Sequence, residues 1–251
     1  MIKFKKIIKK TLILISRIIY WIIPSEFKPS KKEYIIYDIF KNEEQTKCYN
    51  HFKKYFKTSI FLKSKKHLSR AYGTSIKEYA IEKALQNESN TNINAYLEFG
   101  VYKGNSINFF SKYVKKIYGF DSFEGLNEDW AGYIRPKKDF NSNKKIPKLN
   151  KNVVLVNGLA QNTLDNFLKE NNPKINFVNM DMYTYETSRF ILSKIKPYLI
   201  DNSVILFNHL YNFPAWDVGE YKALQEIFKK EEYEFKAFSK YEQQVVVQIK
   251  K

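Results

Sequence analysis

Apolar and polar positions fall into blocks that switch between two periods along most of this chain. From residue 94 onward, short apolar runs alternate with segments whose apolar residues stand three or four apart. "AYLEFG", "IYGFD", "NVVLVNG", "INFVNMDM" and "SVILFNHL" read as strands, too uniformly apolar to keep a solvent face. Interspersed among them, "SINFFSKYVKK", "TLDNFLKE" and "SRFILSKIKPYL" carry the helical period, and "YKALQEIFKK" carries it again after the last of these strands. Alternation of this kind predicts a doubly wound α/β sheet. The chain ends differently. "YEFKAFSK" and "QQVVVQIKK" are adjacent strands with no helix between them, so the last is expected to run antiparallel to its neighbours. A helix over 74–86 precedes the first strand and is broken by turn-prone residues at 87–91.

The first 70 residues lack this order. Residues 28–70 are rich in Lys and aromatics without a clear period, and the expected domain boundary lies at 71/72: a basic N-terminal extension over 1–71, then one domain over 72–251. Charge follows the same division. Residues 1–70 hold 16 Lys and 2 Arg against five acidic residues, +13 of the chain's net +17. Within them an apolar run over 12–23, ended by Pro24, follows five lysines. It is shorter than the roughly 20 residues that span a bilayer. A basic, Trp-containing helix of this length suits the headgroup layer of an anionic membrane, and packing on the domain is the alternative. A single cysteine, Cys48, excludes an internal disulfide, and three histidines cannot build a Cys/His zinc cluster. A cytoplasmic protein is expected, with residues 1–24 touching the inner membrane face.

Candidate chemistry sits at the strand ends. Two of the chain's eight glycines, Gly100 and Gly104, lie between the first strand of the alternation and the following helix. Open α/β sheets bind ligands at such turns. The spacing E-x-G-x-x-x-G differs from the dinucleotide G-x-G-x-x-G, which argues against a pyrophosphate. Asp121 ends the second strand, where a carboxylate can accept hydrogen bonds from a ribose. Glycine turn plus strand-tip acid points to an adenosine-containing cofactor.

"LEFGVYKGNS", "YGFDSFEGLNEDW", "VNGLAQNTL", "NMDMYTYET" and "YNFPAWDVGEYKALQEIF", over 72–228, together resemble S-adenosylmethionine-dependent methyltransferases, specifically the macrocin O-methyltransferase family. The resemblance implies a class I methyltransferase fold, seven strands with the seventh antiparallel, and S-adenosylmethionine at the glycine turn. It places Glu98, Gly100, Gly104 and Ser106 around the methionine end, Asp121 on the ribose with Ser122 beside it, and Gly158 and Leu159 near the adenine.

The acceptor side departs from the family pattern. Asn179 stands where the family has the first acid of Asp-x-Asp-x-Tyr, and Asn208–His209 where it has a pair of acids. Those acids are where metal-dependent members would hold magnesium, and amide oxygens with an imidazole replace them poorly. A tightly bound magnesium ion is therefore not expected. Asp181 is the first candidate general base and His209 the second. Tyr211, Phe213 and Trp216 offer faces for a flat acceptor or else form a packed loop, and Trp130 is placed to cover the mouth of the site. The expected activity is O-methylation of a hydroxyl on a small molecule or sugar, such as an envelope glycan or secondary metabolite. Two other readings stand beside it: a nucleic-acid methyltransferase, less favoured because no recognised binding module is present, and a cofactor-binding scaffold without turnover.

Overall fold

A computed structural model of the protein describes residues 43–62, 75–87, 94–129, 140–240 and 242–251. The segment over 1–24, expected to touch a membrane, and Trp130 lie outside these residues. Among those described, no helix is long and apolar enough to cross a membrane.

Every strand expected from the apolar runs is present. In chain order the elements are α1 (Glu43–Phe56), β1 (Ile60–Leu62), α2 (Ile76–Leu85), β2 (Asn94–Phe99), α3 (Asn105–Phe110), β3 (Ile117–Asp121) and β4 (Val153–Asn157). Then follow α4 (Ala160–Asn171), β5 (Lys174–Met180), α5 (Tyr185–Ile195), β6 (Leu199–Phe207), α6 (Glu220–Ile227), β7 (Tyr233–Ser239) and β8 (Val245–Ile249). The sheet order is β1-β7-β8-β6-β5-β2-β3-β4. β8 runs antiparallel to both β6 and β7, as the helix-free terminal strand pair predicted.

The sheet has eight strands where seven were expected, and the eighth comes from the segment assigned to the N-terminal extension. Ile60–Leu62 pairs in parallel with Ala237–Ser239 at the sheet edge. Helix α1 covers this end by burying Cys48, Phe52 and Phe56, one helical turn apart. Phe52 packs on Trp216 at 5.2 Å, Tyr211 at 6.0 Å and Phe238 at 5.7 Å between ring centroids. The folded domain therefore begins before residue 72. Tyr211, Phe213 and Trp216 belong to this buried aromatic layer, so the packed-loop alternative holds for them. Burial also pushes the Cys48 thiol up to about 12.

Helix α3 is shorter than the eleven-residue run suggested. After Phe110 the chain tightens into three-residue turns, Lys112 N to Phe109 O and Tyr113 N to Phe110 O. The Asn152 side chain donates to the carbonyls of Ser111 and Val114 at 2.7 and 2.8 Å. Side-chain amides thus occupy carbonyls that a longer helix would have used itself.

Chain order runs outward from β2 through β3 to β4, then returns to place β5 on the other side of β2. That reversal opens a crevice at the carboxyl ends of β2 and β5. The backbone ladder continues past the strand tips there: Gly100 N bonds to Phe120 O, Gly158 N to Asp121 O, Asp181 N to Phe99 O and Asn208 N to Met180 O. Gly100 has φ +90°, and a Cβ there would lie 2.3 Å from the Asp181 carbonyl oxygen. The neighbour that excludes a side chain is the backbone of β5's own tip. Gly104 caps α3 in the left-handed region at φ +74°.

Candidate active site

A cavity of about 240 Å³ lies over the tips of β2, β3 and β5. It runs from Asp181, past Gly100 and Ser106, along Asp121 and Ser122, to Gly158 and Leu159. Two of the residues assigned to the cofactor from the sequence do not line this cavity. Glu98 is wholly buried beneath it, and Gly104 is turned away against Leu149 and Pro147. Both act on the site by shaping its floor and its turn.

Asp121 does more than present a carboxylate. Its Oδ2 accepts from the amides of Val101 and Tyr102 at 2.8 and 2.7 Å, and its Oδ1 accepts from Phe123 N at 2.7 Å. The tip of β3 thereby holds the glycine turn after β2. A carboxylate has about four lone-pair directions, so three amides leave room for another donor.

Beneath the cavity a line of side-chain amides crosses four strands. Gln244 Nε2 donates to Asn208 Oδ1 at 2.7 Å, and Asn208 Nδ2 donates to Asn179 Oδ1 at 2.8 Å. Asn179 Nδ2 then donates to Glu98 Oε2 at 2.9 Å, and Ser106 Oγ donates to Glu98 Oε1 at 2.8 Å. The two asparagines that depart from the family's acids spend their oxygens inside this line. Of the four positions where the family pattern has acids, only Asp181 keeps a carboxylate, with the His209 nitrogen beside it, and a hard magnesium ion is not suited by that donor set.

Glu98 ends the line in a dry setting, and burial pushes its carboxyl up to about 8 despite the nearby Lys77 and the Ser106 and Asn179 hydrogen bonds. Its folded pKa is raised above the unfolded value near 4.5, so the native state binds the proton more tightly. Stability from this group is present at low pH and is lost as pH rises from about 4.5 through 8. Glu98→Gln fits the same partners, Oε1 accepting from Asn179 and Nε2 donating to Ser106. The variant is expected to flatten the fall in melting temperature between pH 5 and 8 and to exceed wild type above pH 8 in calorimetric scans.

Asp181 and His209 meet at the edge of the cavity. His209 Nε2 lies 3.1 Å from Asp181 Oδ1, and its Nδ1 lies 2.6 Å from Gln243 Oε1. With the Gln243 oxygen accepting from Nδ1–H, a neutral ring would turn its Nε2 lone pair toward the carboxylate. Burial disfavours the imidazolium, but Asp181, Glu220 and Gln243 outweigh it and raise the His209 pKa. The ring stacks on Tyr183 at 4.0 Å, and Tyr183 stacks on Phe140 at 4.9 Å. His209 does not itself line the cavity; Asp181 and Tyr183 do.

Glu220 and Gln243 escaped the sequence reading. Glu220, at the start of α6, is fully buried, and its carboxylate accepts from His209 N at 3.0 Å and from Met182 N at 3.3 Å. It ties the tips of β5 and β6 together next to both candidate bases. An acid opening a helix reads in sequence as a favourable surface charge, so its burial had no local signal.

Residues 97–209 match the model of a methyltransferase domain family. A search of curated proteins finds no match. Among solved structures, the calicheamicin methyltransferase CalS11 superposes with TM-score 0.57 at 17% identity, covering 86% of this chain and 90% of that one. The O-methyltransferase NovP gives TM-score 0.50 at 17% identity, covering 70% of this chain and 81% of its own. At such identities the likeness is one of fold, and the fold agrees with the strand order, the antiparallel β8 and the crevice described above. The domain match over residues 97–209 and the shared fold together support an S-adenosylmethionine-dependent methyltransferase domain in this chain.

Proposed function

We propose that this methyltransferase is an O-methyltransferase of the macrocin type, acting on a hydroxyl of a sugar or small molecule with Asp181 as general base. The observation that carries the reading is the Asp181–His209 pair, set at the wall of the cavity beside the glycine turn. The similar structure described as a TDP-rhamnose 3'-O-methyltransferase, at TM-score 0.51 and 19% identity, supports a sugar hydroxyl as acceptor.

When bound, S-adenosylmethionine supplies a methyl group on a sulfonium, a leaving group that needs no protonation. The residues suited to hold it are Gly100 and Ser106 at the methionine end, Asp121 with Ser122 at the ribose, and Gly158 with Leu159 at the base. Asp181 takes the proton from the acceptor hydroxyl as its oxygen attacks the methyl carbon. His209 donates from Nε2 to Asp181 Oδ1, which leaves Oδ2 for the acceptor and fixes the carboxylate plane. Gln243 holds the ring through Nδ1, and Tyr183 holds it by stacking. Positioning of this kind supplies much of the acceleration of a displacement reaction.

Calorimetric titration with S-adenosylhomocysteine tests the reading. Wild type is expected to bind in the micromolar range. Asp121→Ala removes the acceptor for the turn amides and for the ribose, about 3 kcal/mol for two charge-assisted bonds. Kd should rise about 100-fold. Failure of wild type to bind, or an Asp121→Ala variant that binds equally well, would sink the cofactor assignment.

A further inference from the structure

Beside the cavity lies a second, more open groove of about 720 Å³. The two share Lys77, Asn105 and Ser106, so the groove opens at the end of the cavity assigned to methionine. Its remaining wall includes Phe109 and Lys112 from the α3 side and Gln244 from the start of β8.

Three features of this wall point to one kind of ligand. Lys77 and Lys112 bring two ammonium groups to it against the one carboxylate of Glu242, and neither lysine forms an ion pair among the described residues. They suit an anionic group. Gln244 is buried, with its Nε2 committed to Asn208 and its Oε1 without a hydrogen-bond partner. A buried acceptor left unpaired is destabilising and calls for a donor. Ser106 Oγ donates to Glu98, which leaves its lone pairs as acceptors too. Phosphate dianion and carboxylate carry no donors, whereas hydroxyl groups do. The wall is also braced. Asn150 bonds to the side chain and carbonyl of Asn108 at 2.8 and 3.1 Å, and a Ser75–Glu78 capping box fixes the turn that carries Lys77.

We infer that this groove holds the methyl acceptor, and that the acceptor is a sugar bearing an acidic group, a phosphate or a carboxylate. The lysines take the anion, and Gln244 and Ser106 accept hydrogen bonds from the sugar hydroxyls. The inference rests on the O-methyltransferase reading and names its substrate class.

The test uses the full chain saturated with S-adenosylhomocysteine. It is titrated with gluco, galacto and manno hexose 1-phosphates, the matching hexuronates, the parent hexoses and inorganic phosphate. At least one acidic sugar is expected to bind at least tenfold more tightly than both its parent hexose and inorganic phosphate; which arm does so separates phosphate from carboxylate. Lys112→Glu, at an exposed position, should weaken that binding at least tenfold while leaving the Kd for S-adenosylhomocysteine unchanged. Phosphate alone binding as well as the sugar phosphates would mark a bare anion site. Parent hexoses binding equally well would remove the role of the lysines. Either result overturns the inference, as does an unaffected Lys112→Glu variant or a panel that fails to bind while S-adenosylhomocysteine binds. Loss of S-adenosylhomocysteine binding by wild type is the separate result that strikes the methyltransferase reading itself.

Discussion

Asp181→Asn is expected to lower methyl transfer about 1000-fold while leaving the Kd for S-adenosylhomocysteine within threefold. The substitution keeps shape and still offers an oxygen to His209 Nε2, so the cavity wall stands. It removes the carboxylate proposed to take the acceptor's proton, and a positioned base contributes typically 10²–10⁴ in rate. His209→Gln should cost less, about tenfold, because that ring is set back from the cavity and acts by holding Asp181. Tritium transfer from methyl-labelled S-adenosylmethionine, compared with binding in the same variants, separates the two roles. A larger loss in His209→Gln than in Asp181→Asn would reverse the assignment and make the imidazole the base.

The parts of the molecule legible in sequence are those with short-range causes. Apolar runs marked β2 to β6, even though β4 at the sheet edge is only partly buried and Glu98 and Asn179 interrupt β2 and β5, and the terminal strand pair gave the antiparallel β8. Strand tips followed from the runs, so Gly100 and Asp121 fall in one crevice, and the family resemblance adds Asp181 to it. Helix α1 was missed although it carried a signal: Cys48, Phe52 and Phe56 recur every four residues, hidden among lysines and further aromatics. β1 spans three residues and owes its place to the edge of β7, which no local pattern announces. The amide line was illegible for a different reason. Gln244, Asn208, Asn179 and Glu98 come from four strands, and the partner of each lies between 29 and 81 residues away. From sequence the asparagines show as lost metal ligands; in the fold they are the hydrogen-bonded replacement for that charge.

Glu220 shows how far such a replacement reaches, and Glu220→Ala is expected to carry the largest stability penalty. Its buried carboxylate satisfies the amides of Met182 and His209, and removing it leaves two part-buried donors without that acceptor. At about 1–3 kcal/mol for each unpaired group the loss is about 3 kcal/mol or more. For a domain of this size that corresponds to a fall in melting temperature of about 10 °C. The penalty depends on pH with a definite sign. Burial, opposed by His209 and the two amide bonds, pushes the Glu220 carboxyl up to about 7, so folding takes up a proton between about 4.5 and 7. Wild type therefore loses this contribution as pH rises through that window, and the alanine variant, lacking the group, does not. The gap between them should narrow from pH 5 to pH 8 in calorimetric scans. A gap that widens instead would mean that the ionised carboxylate is the stabilised form. The amide bonds would then outweigh burial at this corner of the site.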